Sequence, residues 1–151
     1  MERHKLIDVL RKLRLHGMVS AFDEGVTQGI RRNNTVQEIL LLLCQAEDAE
    51  RKARSITYQL SIAKFPVHKN IDTFSFKEAH VNEGLIKDLY LGHFLEEAEN
   101  LIFIGGTGTG KTHLSTAIAI QCIRLGKKGR FFSVVDLVNK LEQEKLAGRS
   151  G

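Results

Sequence analysis

Lys111 and Thr112 close the string Gly105-Gly106-Thr107-Gly108-Thr109-Gly110-Lys111-Thr112, which fits G-x-x-x-x-G-K-S/T without a mismatch. Glycines at these positions let backbone N–H groups turn inward around an anion, and a lysine directly after them reaches phosphate oxygens. Thr112 offers a hydroxyl to Mg²⁺ at the start of a helix whose positive end faces the same phosphates. The chemistry implied is a nucleoside-triphosphate cradle with Mg²⁺ at residues 105 to 112. The apolar run Leu101-Ile102-Phe103-Ile104 before it reads as a strand. The stretch after it, with Leu114, Ala117, Ile118 and Cys122 on one face, reads as a helix stopped by Gly126-Lys127-Lys128-Gly129.

The elements that must carry this loop follow from periodicity. Leu6, Leu10 and Leu13 predict an amphipathic first helix, broken at Leu15-His16-Gly17, and Met18, Phe22 and Val26 predict a short second one ending near Gly29. Thr35-x-x-Glu38 has the form of a capping box opening a long helix. The seam of that helix is Ile39, Leu42, Ala46, Ala49, Ala53, Ile56, Leu60 and Ala63. This seam packs either on the first two helices or on another subunit, and the first is favoured. Glu47–Arg51, Asp48–Lys52 and Glu50–Arg54 are i,i+4 pairs read as a solvated face.

Pro66 ends the helix. Residues 67–99 form a linker with short helices at 82–90 and 93–99. In this linker Phe74 and Phe76 belong to the core or cover a nucleotide base, the core being the simpler choice. Arg130 to Val135 reads as a second strand, with Asp136 capping a last helix that ends near Gly151. The fold class expected is α/β: an all-helical domain at 1–66, then an incomplete P-loop core at 100–151 with a truncated parallel sheet.

Composition narrows the class further. The formal charge of +4 lies in the N-terminal part: residues 1–70 hold 12 Lys/Arg against 8 Asp/Glu, and residues 71–151 hold 10 against 10. Arg11, Lys12, Arg14, Arg31 and Arg32 are therefore the candidate DNA contacts. Cys44 and Cys122 have no disulfide or zinc spacing and read as buried thiols. The six histidines lack ligand spacing, so no transition-metal site is expected. The longest apolar run, Ile39 to Cys44, is too short to span a bilayer, and no leader pattern opens the chain, which places it in the cytoplasm.

Leu13-Arg14-Leu15-His16-Gly17-Met18, the helix Ala46 to Arg54, Asn100 to Leu114 with G-K-T-H-L, and Arg130-Phe131-Phe132 before Asp136-Leu137 together resemble the IstB-like ATP-binding proteins, AAA+ helpers of insertion-sequence transposases related to DnaC-type helicase loaders. The resemblance implies a helical domain followed by an AAA+ core carrying the Walker A loop, in which Gly105 to Thr112 bind ATP and Mg²⁺. It also implies partnership with a transposase and DNA, and assembly as a homo-oligomer. A DnaC-like loader and a non-catalytic binding module with a vestigial nucleotide site are the alternatives. Walker B acids, sensors and an arginine finger have no counterpart in residues 1–151, so no catalytic residue is assigned and no appreciable ATP turnover is expected. A strand at 101–104 without its sheet neighbours should expose unpaired edges and leave the P-loop half marginal.

Overall fold

In the computed structural model, which describes residues 2–67, 69–77, 79 and 81–148, six α-helices and two 3₁₀ turns make up the regular structure. The helices are α1 (Glu2–Lys12), α2 (His16–Arg31), α3 (Val36–Ala63), α4 (Glu83–Tyr90), α5 (Lys111–Arg124) and α6 (Val134–Leu146). The 3₁₀ turns are Ile71–Thr73 and His93–Leu95. The chain divides into two compact units, Met1–Thr57 and Tyr58–Gly151.

In the first unit α1 and α2 form an antiparallel pair. Arg14 turns the chain at φ 59°, and Arg3 is ion-paired with Asp23 across the two helices. The second helix is longer than its apolar spacing implies, because Gly25 and Gly29 are kept inside it and face α3. A Cβ at Gly25 would stand 2.8 Å from Leu42 Cδ2, and one at Gly29 would stand 2.5 Å from Ile39 Cγ1. Gly17, Ala21, Gly25 and Gly29 recur every four residues, so one ridge of α2 carries almost no side-chain bulk and the backbones approach closely.

The third helix opens on the capping box. Glu38 N–H donates to Thr35 Oγ1 at 3.3 Å, and Thr35 N–H donates back to Glu38 Oε2 at 2.6 Å, which holds the Glu38 carboxyl below its ordinary value. The expected seam is covered at both ends and open in the middle. Leu43 is buried and Ile39, Leu42 and Ala46 are half-buried, whereas Ala49 and Ala53 face solvent. At its C-terminal end Ile56 and Leu60 are half-buried and Ala63 is buried. The helix ends at Ala63, before Pro66, where Lys64 takes the left-handed φ of 55°.

The second unit packs around α5. Leu114, Ala117, Ile118, Ile120, Cys122 and Ile123 are buried, more than one stripe's worth, together with Ile86 of α4 and Ala63. Such an all-round apolar helix belongs inside a core. Asn82 caps α4 by accepting from Leu85 N–H, and Gly92 turns the chain at φ 80° beside Leu125 and Cys122.

The expected parallel sheet is absent among the described residues: neither 101–104 nor 130–133 enters any strand. Exposure alternates along Leu101, Ile102, Phe103 and Ile104 as it does on an extended chain with one covered face, but Ile102 and Ile104 stay 83% and 92% exposed. The physical reason is pairing. A β-ladder needs a neighbouring backbone, and no described residue is bridged to this stretch. In the other segment, Phe131 N–H donates at 2.8 Å to Ala63 O, so the amide closes an orphan carbonyl at the end of α3. Val134 and Val135, read as strand, are the first turn of α6. The N-cap of α6 is Ser133, whose Oγ accepts from Asp136 N–H at 3.1 Å, so Asp136 is the third residue of the helix and not its cap. Gly151, where the last helix was expected to end, lies outside the described residues.

Candidate functional site

The glycine-rich loop closes on itself ahead of α5. Gly108 and Gly110 have φ of 79° and 87°, a region that costs an L side chain about 1–2 kcal/mol and that glycine enters freely. Thr109 Oγ1 donates to Gly106 O at 2.9 Å, and Lys111 Nζ donates to the same carbonyl while lying 3.5 Å from Thr109 Oγ1. The lysine therefore folds back over the loop interior. Gly110 is the N-cap of α5 and carries no capping side chain. The first amides of the helix are left without intrahelical acceptors, at the positive end of a 14-residue helix.

Five of the eight residues 105–112 border one concavity; Gly106, Thr107 and Thr112 do not line it. Gly105, Gly108, Thr109, Gly110 and Lys111 line a cavity of about 870 Å³ whose other walls come from Leu101 to Ile104, from Phe74 and Ser75, and from Val81, Leu85 and Leu89. This volume falls in the range of small-molecule sites. Thr112 is exposed at the first turn of α5. Fit to a triphosphate is supported by the donors present: a lysine, the loop amides and a helix N-terminus, with no cap to compete for them.

Phe74, which the sequence assigns to core or to base covering, is half-buried on this cavity wall. An ideal Cβ at Gly110 would stand 2.4 Å from Phe74 Cε2, so the ring fills the space that Gly110 leaves. Phe74 and Phe76 meet edge to face, with centroids 4.9 Å apart.

The candidate DNA contacts Arg11, Lys12, Arg14, Arg31 and Arg32 are all exposed, but the structure separates them. The first three lie at the turn between α1 and α2, and the last two lie at the far end of the 16-residue α2, about 24 Å along its axis. Arg11 also pairs with Asp8 at 3.7 Å. Cys122 is buried as expected, and burial pushes its thiol above the ordinary value, with Lys127 opposing. Cys44 is exposed, contrary to expectation. Among the described residues no His/Cys/Asp/Glu group forms a metal cluster, and no helix is long and apolar enough to cross a membrane. His68 and His80 lie outside the described residues.

One residue that matters was misread from the sequence. The three i,i+4 pairs form, at 2.7, 2.6 and 3.3 Å, but Glu47 is not on a solvated face. It is 6% exposed, and its Oε2 accepts from Gly17 N–H at 2.7 Å and from Met18 N–H at 3.3 Å while Oε1 accepts from Arg51. The N-cap of α2 is Leu15, which has no side-chain acceptor, and a carboxylate from α3 does that work instead. The signal was legible: a helix start with leucine where Ser, Thr, Asp or Asn is preferred, followed by glycine, asks for an acceptor from elsewhere. Burial pushes the Glu47 carboxyl up, but the bonds from Arg51, Met18 and Gly17 outweigh it and hold the pKa below the ordinary value.

The family described as IstB-like ATP binding protein matches residues 8–151. The chain belongs to that family. It is 32% identical over 148 residues to a Geobacillus stearothermophilus protein named as an ATP-binding protein of insertion sequence IS5376, covering 97% of this chain and 59% of that protein. It is 30% identical over 141 residues to the IS232 counterpart of Bacillus thuringiensis subsp. berliner, covering 93% and 56%. To the IS21 counterpart of Pseudomonas aeruginosa it is 25% identical over 147 residues, covering 97% and 56%. The chain spans a little over half the length of each of these relatives.

Proposed function

We propose that this chain carries the ATP-binding loop of a cytoplasmic insertion-sequence transposition helper, acting with the transposase of the same element and with DNA, as a homo-oligomer. The observation that carries the reading is the loop itself. Gly108 and Gly110 sit in left-handed conformations, Lys111 is folded over Gly106 O, and the uncapped start of α5 faces a cavity of about 870 Å³. Family membership supports ATP as the ligand, and the names of the relatives, all given to insertion-sequence proteins, support the transposition role.

In this reading, residues 105 to 110 offer backbone N–H donors and Lys111 offers its ammonium to phosphate oxygens. Thr112 offers its hydroxyl to Mg²⁺, and the phosphate charge comes from the bound nucleotide. The residues compensate charge and fix orientation without moving a proton. A calorimetric titration of the 151-residue chain with ATP and Mg²⁺ tests it. Saturable binding that Lys111→Ala weakens at least tenfold is expected, and unchanged binding in that variant refutes the assignment of the loop.

A further inference from the structure

His113 directly follows the residues assigned to phosphate and Mg²⁺, and its ring is engaged elsewhere. Nε2 lies 2.8 Å from the carbonyl oxygen of Asn70 and 3.3 Å from Thr73 Oγ1. A carbonyl only accepts, so Nε2 carries the hydrogen and donates to Asn70. Thr73 Oγ1 donates to the same oxygen at 2.8 Å, and the 3₁₀ turn is thereby closed around one acceptor. The His113 ring also meets Phe74 edge to face, with centroids 5.2 Å apart. Phe74 in turn fills the space over Gly110 and forms part of the cavity wall with Ser75. Among the described residues, the hydrogen bond between the 70–77 segment and α5 is the one His113 donates to Asn70 O, with Thr73 Oγ1 in contact beside it.

We infer that His113 is a positioning residue, a latch that fastens the Ile71–Thr73 turn to the start of α5 and so sets Phe74 and Ser75 as the wall facing the non-phosphate part of a nucleotide. The inference rests on the reading of the loop as a nucleotide site. The ring does not serve phosphate, because its donor is committed to Asn70 O, 43 residues earlier in the chain. His113 borders the same cavity, but with its donor turned to Asn70 O its influence on the ligand runs through Phe74, whereas that of Lys111 is direct. The two residues therefore differ in which part of the ligand they sense.

That difference can be measured with two probes, MgATP and inorganic tripolyphosphate with Mg²⁺, on the full 151-residue chain. His113→Ala is expected to weaken MgATP about three- to tenfold, the worth of one net hydrogen bond with its aromatic contact, and to leave tripolyphosphate unchanged. Lys111→Ala weakens both. His113→Gln, which returns an N–H donor at similar reach, recovers most of the ATP affinity, and His113→Phe, which keeps a ring but no donor, does not. Hydrogen exchange on the nucleotide-free chain gives an independent arm: the Thr73 and Phe74 amides lose protection in His113→Ala and regain it in His113→Gln. Equal loss of both probes in His113→Ala makes His113 a phosphate contact and overturns the latch, as does unchanged exchange. If the wild-type chain binds neither probe, the nucleotide reading falls and the effect on nucleotide falls with it, while the exchange arm still decides whether His113 holds the turn.

Discussion

Replacing Gly17 by alanine probes the glycine of α2 that lies against the backbone of α3. The new Cβ would stand 2.5 Å from Ala46 O and 2.6 Å from Glu47 Cα, both backbone atoms that no rotamer change can move. Ordinary contact begins near 3.4 Å, so the first turn of α2 must retreat from α3 by about 1 Å. That retreat stretches the 2.7 Å bond from Gly17 N–H to Glu47 Oε2 past the hydrogen-bonding range. Overpacking of this kind costs roughly 1–3 kcal/mol, and the gain from alanine's helix propensity, about 0.5–1 kcal/mol in a helix interior, does not offset it. Gly25→Ala is the internal control. Its Cβ meets the tip of the Leu42 side chain at 2.8 Å, which can rotate, so the same propensity gain leaves it within about 1 kcal/mol of the parent. Urea titration followed by far-ultraviolet circular dichroism reads both. A lower midpoint for Gly17→Ala at unchanged slope, with Gly25→Ala near the parent, is the expected pattern. Equal midpoints for the two variants would refute the claim that backbone contact at Gly17 sets the fit of α2 on α3.

The remaining expectations concern charge and thiols. The folded pKa of Glu47 is depressed, so its contribution to stability is complete above its ordinary value of 4.5 and is lost as pH falls through the lower, folded value. Stability of the first unit should therefore drop in acid below pH 4.5, and Glu47→Gln should flatten that part of the profile, as read by urea midpoints across pH. In Ellman titration of the native chain, exposed Cys44 should react first and buried Cys122 only on unfolding, and Cys44→Ser should abolish the fast phase. If the basic termini of α2 touch DNA, removing Arg11, Lys12 and Arg14 together and removing Arg31 and Arg32 together should each lower the salt slope of binding separately. A loss confined to one set would assign the footprint to that end of α2, since the sets lie about 24 Å apart.

What was legible in the sequence is what local chemistry determines. The glycine-rich loop is specified by consecutive residues, and the Thr35–Glu38 box lies within one turn, so both appear where the sequence places them. The strands were not legible, because an apolar run such as Leu101 to Ile104 states a propensity while a ladder requires a second backbone at the right distance. Val134 and Val135 show the same thing in reverse: β-branched residues enter a helix once Ser133 caps it. The role of Glu47 depended on α2 arriving beside it, 30 residues away in the chain. The wall at Phe74 likewise depended on a turn docking on α5.

Helix α6 has 13 residues, a good cap and no buried side chain; Val134, Val135, Leu137, Val138 and Leu141 are all at least 41% exposed. Helices of this length are marginal in water unless packing supports them. The Ser133 cap and the Lys140–Glu144 pair are the supports that α6 itself supplies. Its melting should therefore be uncoupled from the cooperative transition and add little to the heat capacity of unfolding, since none of its side chains is buried. On warming, its share of the helical signal should leave as a sloping baseline ahead of the main transition, and trifluoroethanol should restore that share without shifting the midpoint assigned to α5.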